Sequence, residues 1–388
     1  LSDPAALASE KVVPAGALAA SPGAYFYMDA MRAVLALVVA FGHVWALLIR
    51  DYRPADELIA EAGYFVAGFG HQAVILFFVL SGFWITRSVV RHADRGWSWR
   101  GYLIERMSRL MIVLVPTLVL GGTLDAIGVF GLQSPTHLGQ TDTYVLRKDV
   151  VLALSPTAFL GNLTFLQIFV PPFGTNGPLW SLSYEFWFYI WFAALWLLVR
   201  QRRLSIGLLT LAFGWFVPTL ALAFLSWLCG SALYGITRVW RRPASLTPMA
   251  AWGVLGITGA GLALFLVFAR FGADTWKDPV LALVFALFLL ALIAADPKPL
   301  QLLRPVAIYG SNASFSLYAI HFPVMALATA LVINADRLEP TLQAIGGVAA
   351  IMIGTISLAG VFSRQTEART PQLRAYLHRR LSTPARSS

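Results

Sequence analysis

The stretch YMDAMRAVLALVVAFGHVWALLI, residues 27–49, decides the fold class. A helix of about 20 mostly apolar residues crosses the hydrocarbon core of a bilayer, and this run is long enough. No small-residue cleavage site ends it, so it reads as an uncleaved span rather than a signal peptide. It also keeps Asp29 and Arg32 near one end and His43 toward the other. Residues 1–26, poor in charge and rich in Ala, Pro and Ser, read as a flexible cytoplasmic tail.

The rest of the chain repeats the pattern. Of its 388 residues 58% are hydrophobic and 12% charged, against roughly 25% charged in a soluble domain. The apolar runs are continuous rather than alternating, which excludes a strand barrel. The expected fold is an all-α, polytopic membrane bundle of about ten spans: 27–49, 66–89, 107–131, 179–199, 204–219, 221–239, 251–271, 279–295, 306–333 and 342–363. The uncharged run 204–237 is divided at Pro218, because as one helix it would be about 51 Å long. The net charge of +10 does not point to nucleic acid, since the basic residues fall in short loops between apolar runs. With the N-terminus inside, 21 of the 29 Lys and Arg residues are cytoplasmic and 7 face outward, which places both termini in the cytoplasm. The domain 27–363 is then followed by a basic cytoplasmic tail, 364–388, and the long outer loop, 132–178, is apolar enough in its middle for a re-entrant or interfacial element. The single cysteine, Cys229, excludes an internal disulfide and a cysteine metal site.

Ionisable groups inside a bilayer are costly and often mark function. Arg32 and His43 are 11 residues apart, three turns plus about 20°, so they share one helix face about 16 Å apart along the axis. Asp29 is positioned to pair with Arg32. By depth, His43, His71, Asp125, Glu185 and His321 fall in the outer part of five spans. Together they line a polar cavity open to the outer face, or some of them, His71 and Asp125 first, sit at the headgroup boundary. At the cytoplasmic side Arg87, Arg91, Arg106 and Arg109 form a cluster that fits phosphate or simply sets topology. Likewise Arg32 either belongs to a buried network or snorkels.

A histidine is suited to general-base work on a hydroxyl, and a carboxylate orients its other nitrogen. A phosphate-bearing donor at the arginines with its reactive end in the core makes a group-transfer design. No HExxH spacing, Gly-rich phosphate loop or GxSxG elbow supports metal hydrolysis, nucleotide hydrolysis or a serine hydrolase.

At these residues the chain resembles the acyltransferase-3 family of membrane acyltransferases. MDAMRAVLALVVAFGH carries its Arg-x10-His pattern at Arg32 and His43, and LFFVLSGFWIT (76–86) resembles its second-span signature. Arg106 and Arg109 match its Arg-x-x-Arg motif ahead of Pro116. NGPLWSLSYEFWFY, with Glu185, SNASFSLYAIHFPV, with His321, and FSRQTE resemble its later segments. Phe186 stands where many relatives have an acidic or amide residue, and Phe315 where a tyrosine is common.

The resemblance implies a multi-pass O-acyltransferase of the bacterial inner membrane. It transfers a short acyl group, typically acetyl from acetyl-CoA, to a hydroxyl of a surface polysaccharide or lipid-linked sugar. On that reading His43 is the general base or a transient acyl carrier, Glu185 orients it, and Arg32 holds the donor or fixes the network. Arg106 and Arg109 bind the coenzyme A phosphates, while Trp180, Ser181, Tyr318 and His321 line the acceptor side. No permanently bound cofactor, metal or nucleic-acid partner is expected, and membrane lipids surround the chain. Acyl transfer to a secreted small molecule, and a transporter or flippase using the same cavity, are the alternatives.

Overall fold

The computed structural model describes residues 21–54, 56–146, 150–239, 247–272 and 274–381. The tail expected over 1–26 lies outside them up to residue 20, but residues 22–26 are already helical, with Pro22 at the first turn where its missing N–H costs nothing. In chain order the helices are α1 (Pro22–Leu48), α2 (Leu58–Ala67), α3 (Gly70–Asp94), α4 (Trp99–Ala126), α5 (Val150–Ala153), α6 (Pro156–Leu163), α7 (Trp180–Gln201), α8 (Ala212–Phe216), α9 (Pro218–Val239), α10 (Pro248–Arg270), α11 (Lys277–Ala295), α12 (Arg304–Asn312), α13 (Ser314–Ala330), α14 (Leu342–Gln365) and α15 (Thr370–Leu381). Among the described residues the β contact is a single parallel bridge, Ile49 to Leu338. Eight helices there are long and apolar enough to cross a membrane, or nine when α12 and α13, bent by 74° at their break, count as one span.

Helix α1 is central, packed by α3, α12, α13 and α14. Helices α3 and α9 meet backbone to backbone: a Cβ on Gly230 would lie 1.8 Å from the Val79 carbonyl oxygen, and one on Gly82 would lie 2.1 Å from that of Trp227. Small residues allow such approach where lipid supplies no hydrophobic force between helices. Helix α10, by contrast, leaves most of its apolar surface exposed, as a lipid-facing helix does.

The expected span 204–219 is not a regular helix. Ile206–Leu211 form a 3-10 segment and α8 is little more than one turn. The Thr210 hydroxyl donates to the Gly207 carbonyl at 2.6 Å while accepting from the Trp191 indole at 2.8 Å. Such local side-chain bonding competes with a helical ladder, and Pro218 stops whatever precedes it. The segment still runs back along α7: Gly207 lies against Ile190 and Ala194, and Thr219 hydrogen-bonds Tyr184 at 3.0 Å. From Arg202 to Thr219 it retraces about 25 Å of α7, so α9 leaves in the same direction as α7.

The ninth expected span breaks at Ala313, while Pro323 lies inside α13. The Asn312 carbonyl freed by the break accepts from the Ser363 hydroxyl at 2.6 Å, as a broken helix at membrane depth requires. In the loop 132–178, α5 and α6 are too short to cross a bilayer. Asp125 ties this loop down, accepting from the Thr175 backbone N–H and hydroxyl, both at 2.8 Å. Gly174, at φ +62°, lets the chain pass there, since a Cβ would lie 2.0 Å from the Asp125 carboxylate.

At the same end Arg50 pairs with Asp56 at 2.7 Å and Glu339 at 2.5 Å, and Arg337 pairs with Asp51 at 2.9 Å, clasping the end of α1 to the loop before α14. The Arg50 hydrogen bond holds the Asp56 carboxyl below the usual carboxylate range, and the Arg337 hydrogen bond does the same for Asp51. A depressed carboxyl stabilises the fold above its unfolded value, about pH 4, and loses that contribution as pH falls through the folded value. Asp56→Asn is therefore expected to lower the melting temperature at pH 7. The gap from wild type closes as the pH is lowered into the acid range. An equal gap at both ends of a melting series would show that the clasp does not work by charge.

Candidate functional site

A cavity of ≈ 390 Å³ opens between α1, α3, α4, α7 and α13, within the size range of small-molecule sites. Its arginine-rich end is lined by Arg91, Arg106 and Arg109 with Glu105, and by Asp29 and Arg32 across from them. Residues 105, 106 and 109 fall within one turn of α4, which is why their side chains arrive together. Arg106 pairs with Glu105 at 2.7 Å, donates to the Ser88 hydroxyl at 3.1 Å and lies about 6 Å over the rings of Tyr102 and Tyr189. Its Nε remains buried without an acceptor. Arg32 pairs with Asp29 at 3.6 Å. Glu367, beyond the last span, accepts from the Ser316 hydroxyl at 3.0 Å and stands where the charges of Arg109 and Arg32 both act on it.

Glu185 lines the middle of the cavity. It accepts from the Ser81 hydroxyl at 2.9 Å and from the Tyr189 hydroxyl, and Ser81 is itself held by the Trp227 indole at 3.2 Å. Deeper still, the Tyr318 hydroxyl donates to the Pro178 carbonyl at 2.9 Å, and the Ser181 hydroxyl lies 2.6 Å from it.

One turn beyond Tyr318 stands a pair of histidines, His43 Nδ1 lying 2.8 Å from His321 Nε2. His321 Nδ1 is 2.7 Å from the Tyr318 carbonyl oxygen. A carbonyl only accepts, so His321 Nδ1 carries the proton and, in the neutral ring, Nε2 is the acceptor. His43 must then donate through Nδ1, which leaves the lone pair on its Nε2. The tautomer of His43 is thus set from the backbone of α13 through His321, the arrangement a general base needs. His43 does not line the cavity; Tyr318, which does, packs its ring 5.8 Å from that of His321.

The structure therefore divides what the sequence grouped. Arg32, Arg106, Arg109, Glu185, Ser181 and Tyr318 share one cavity. Glu185, expected to orient His43, makes no hydrogen bond to it; His321, expected among acceptor contacts, does. The reason is depth: Glu185 lies one turn past Ser181, which is level with Tyr318, so it is about 10 Å along the bundle from the histidine pair. His71 pairs with Asp278 at 2.9 Å near the surface, and Asp125 serves the loop, with His137 3.5 Å away, so neither joins the cavity. Trp180 packs against Phe78 and Tyr184 rather than lining the site. Glu105, Tyr189, Ser81 and Glu367 were not singled out by sequence. Glu105 directly precedes Arg106 and Glu367 closes the FSRQTE segment, but both sit at the ends of apolar runs, where a carboxylate reads as solvated.

Among known proteins, a family model described as an acyltransferase domain matches residues 25–364. The chain is also 31% identical over 153 residues to acyltransferase MdmB of Streptomyces mycarofaciens, covering 39% of this chain and 35% of that protein. The chain thus spans about a third of the length of that relative. No solved structure matches it.

Proposed function

We propose that this chain, which belongs to the acyltransferase-3 family of membrane acyltransferases, moves a short acyl group, acetyl first, from coenzyme A to a hydroxyl of a surface polysaccharide or lipid-linked sugar. The observation that carries the reading is one cavity running from the arginine cluster to Tyr318, whose backbone fixes the tautomer of His321 and hence of His43. The arginine-rich end faces the cytoplasm by the excess of Lys and Arg there. Eight regular helices, the bent pair α12–α13 and the irregular passage beside α7 make ten crossings, with both termini on that side of a bacterial inner membrane.

The donor's phosphates fit the arginine end, where the buried Nε of Arg106 awaits an acceptor. Arg32 and Arg109 add charge there, and Asp29 and Glu367 keep the two apart from each other's repulsion. The acceptor hydroxyl oxygen attacks the thioester carbonyl carbon while its proton passes to His43 Nε2. The carbon–sulfur bond breaks, and the leaving thiolate takes that proton. Neutral His321 stabilises the His43 imidazolium by accepting from its Nδ1. Glu185, held by Ser81 and Tyr189, lies along the donor's path and acts on its position rather than on His43.

Binding of labelled acetyl-CoA to the purified protein tests the donor assignment. Saturable binding that weakens with salt, and weakens about tenfold in Arg106→Gln through loss of a charge-assisted contact, is expected. A folded protein that binds no acyl-CoA would remove the donor and move a transport reading ahead.

A further inference from the structure

Helix α15 begins at Thr370, after the residues that the family model matches. Over its described length it is a helix that packs one face along α4, the helix that carries Glu105, Arg106 and Arg109, and leaves the other exposed. Its Arg374 reaches Glu105, with Nη1 3.8 Å from Oε1. The same carboxylate holds Arg106 at 2.7 Å and also pairs with His92. The charges of Arg106, Arg109 and Arg91 all act on Arg374. Arg374 thus adds a fourth guanidinium whose charge bears on those of Arg91, Arg106 and Arg109, and it shares the Glu105 carboxylate with Arg106 and His92.

Two of them are also incompletely bonded. The Nε atoms of Arg106 and Arg374 are both buried without a hydrogen-bond acceptor. A buried donor left unpaired is costly, and repulsion among four like charges adds to the cost. Both are relieved by an anion that carries several acceptor oxygens, and planar guanidinium forks suit phosphate oxygens in particular.

We propose that Arg374 is a further donor-binding residue, taking a phosphate of the nucleotide end of the acyl donor at the cavity mouth in exchange for its contact with Glu105. The inference rests on the coenzyme A reading above. Glu105 then acts as a placeholder: it neutralises the arginines when the donor is away and competes with phosphate when the donor arrives. Arg374 and Glu105 therefore have opposite effects on donor affinity, which two partners in a merely structural ion pair would not.

The test uses the full-length protein in lipid nanodiscs and displacement of labelled acetyl-CoA by coenzyme A and by its 3′-dephospho form. Arg374→Gln is expected to weaken coenzyme A about tenfold, the loss of one charge-assisted contact, and to narrow its advantage over the dephospho form. Glu105→Gln is expected to tighten coenzyme A. Arg379→Gln, an exposed charge on the same helix, is expected to leave both affinities unchanged. Arg374→Gln binding like wild type, or Glu105→Gln weakening the donor as much as Arg374→Gln, overturns the proposal while leaving the donor reading intact. Failure of wild type to bind acetyl-CoA removes the donor reading and this proposal with it. If Arg374→Gln does not fold, the sign of the Glu105→Gln effect decides alone.

Discussion

His43→Ala is expected to yield a folded protein that still binds acyl-CoA but transfers the acyl group at least about a hundredfold more slowly, the lower end of what a positioned general base supplies. Folding should survive because His43 sits at a small polar junction, not in the packed interior of α1. Donor affinity should survive because Arg32, which faces the arginines of α4 across the cavity, lies about 16 Å from His43 along α1. His321→Ala is expected to be nearly as slow. It deletes the acceptor that holds the proton on His43 Nδ1, so the ring is free to take the wrong tautomer. His321→Gln, whose amide oxygen accepts from His43, should recover part of the rate. Rates from a quenched time course across the three variants check this. A His321→Ala rate equal to wild type would show that the tautomer is set by something other than α13.

Gly230→Val is expected to have the largest effect on stability. A Cβ at that position would lie 1.8 Å from the Val79 carbonyl oxygen and 2.9 Å from the Phe83 amide nitrogen. No rotamer change relieves a clash with backbone, so α3 and α9 must separate. Overpacking in a close-packed interior costs about 1–3 kcal/mol, and backbone-to-backbone contact stands at or above the top of that range. The separation also reaches the site. Trp227, one turn before Gly230, holds Ser81, and Ser81 holds Glu185. Surviving Gly230→Val protein should therefore show weakened donor binding as well as a lowered melting temperature in detergent. A melting curve superposable on wild type would mean that the two helices are not in contact in the membrane.

Most of the bundle is legible in sequence because hydropathy reports burial in lipid directly. The Arg32–His43 relationship is legible because both lie on one helix and helical period fixes their angle. The exceptions have local causes. Residues 204–219 are as apolar as a helix, but hydropathy is blind to the Thr210 hydroxyl bonding its own backbone. The ninth span bends at Ala313, where Ser363, 50 residues downstream, caps the freed carbonyl, while Pro323 is accommodated inside α13.

The site is less legible than the spans. Depth counted along each span puts Glu185 and His321 in one zone, yet Glu185 lies about 10 Å along the bundle from the histidine pair, and hydropathy says nothing of which helix faces which. The partner of His43 lies 278 residues away and is chosen by packing of α13 on α1. Arg374 is hidden for a different reason: a basic segment after the last span reads as solvated, and only the docking of α15 on α4 brings it to Glu105.

The central claim is that an acyl group brought along this cavity as far as Tyr318 passes to a hydroxyl whose proton goes to His43, one turn beyond. The most direct measurement follows coenzyme A release and acetylated product together. Purified wild type is given acetyl-CoA and a surface-glycan extract, with His43→Ala alongside. Wild type is expected to release coenzyme A in step with ester-linked acetyl on the glycan fraction, and His43→Ala to do neither at a comparable rate. Equal product from folded His43→Ala and wild type would contradict this.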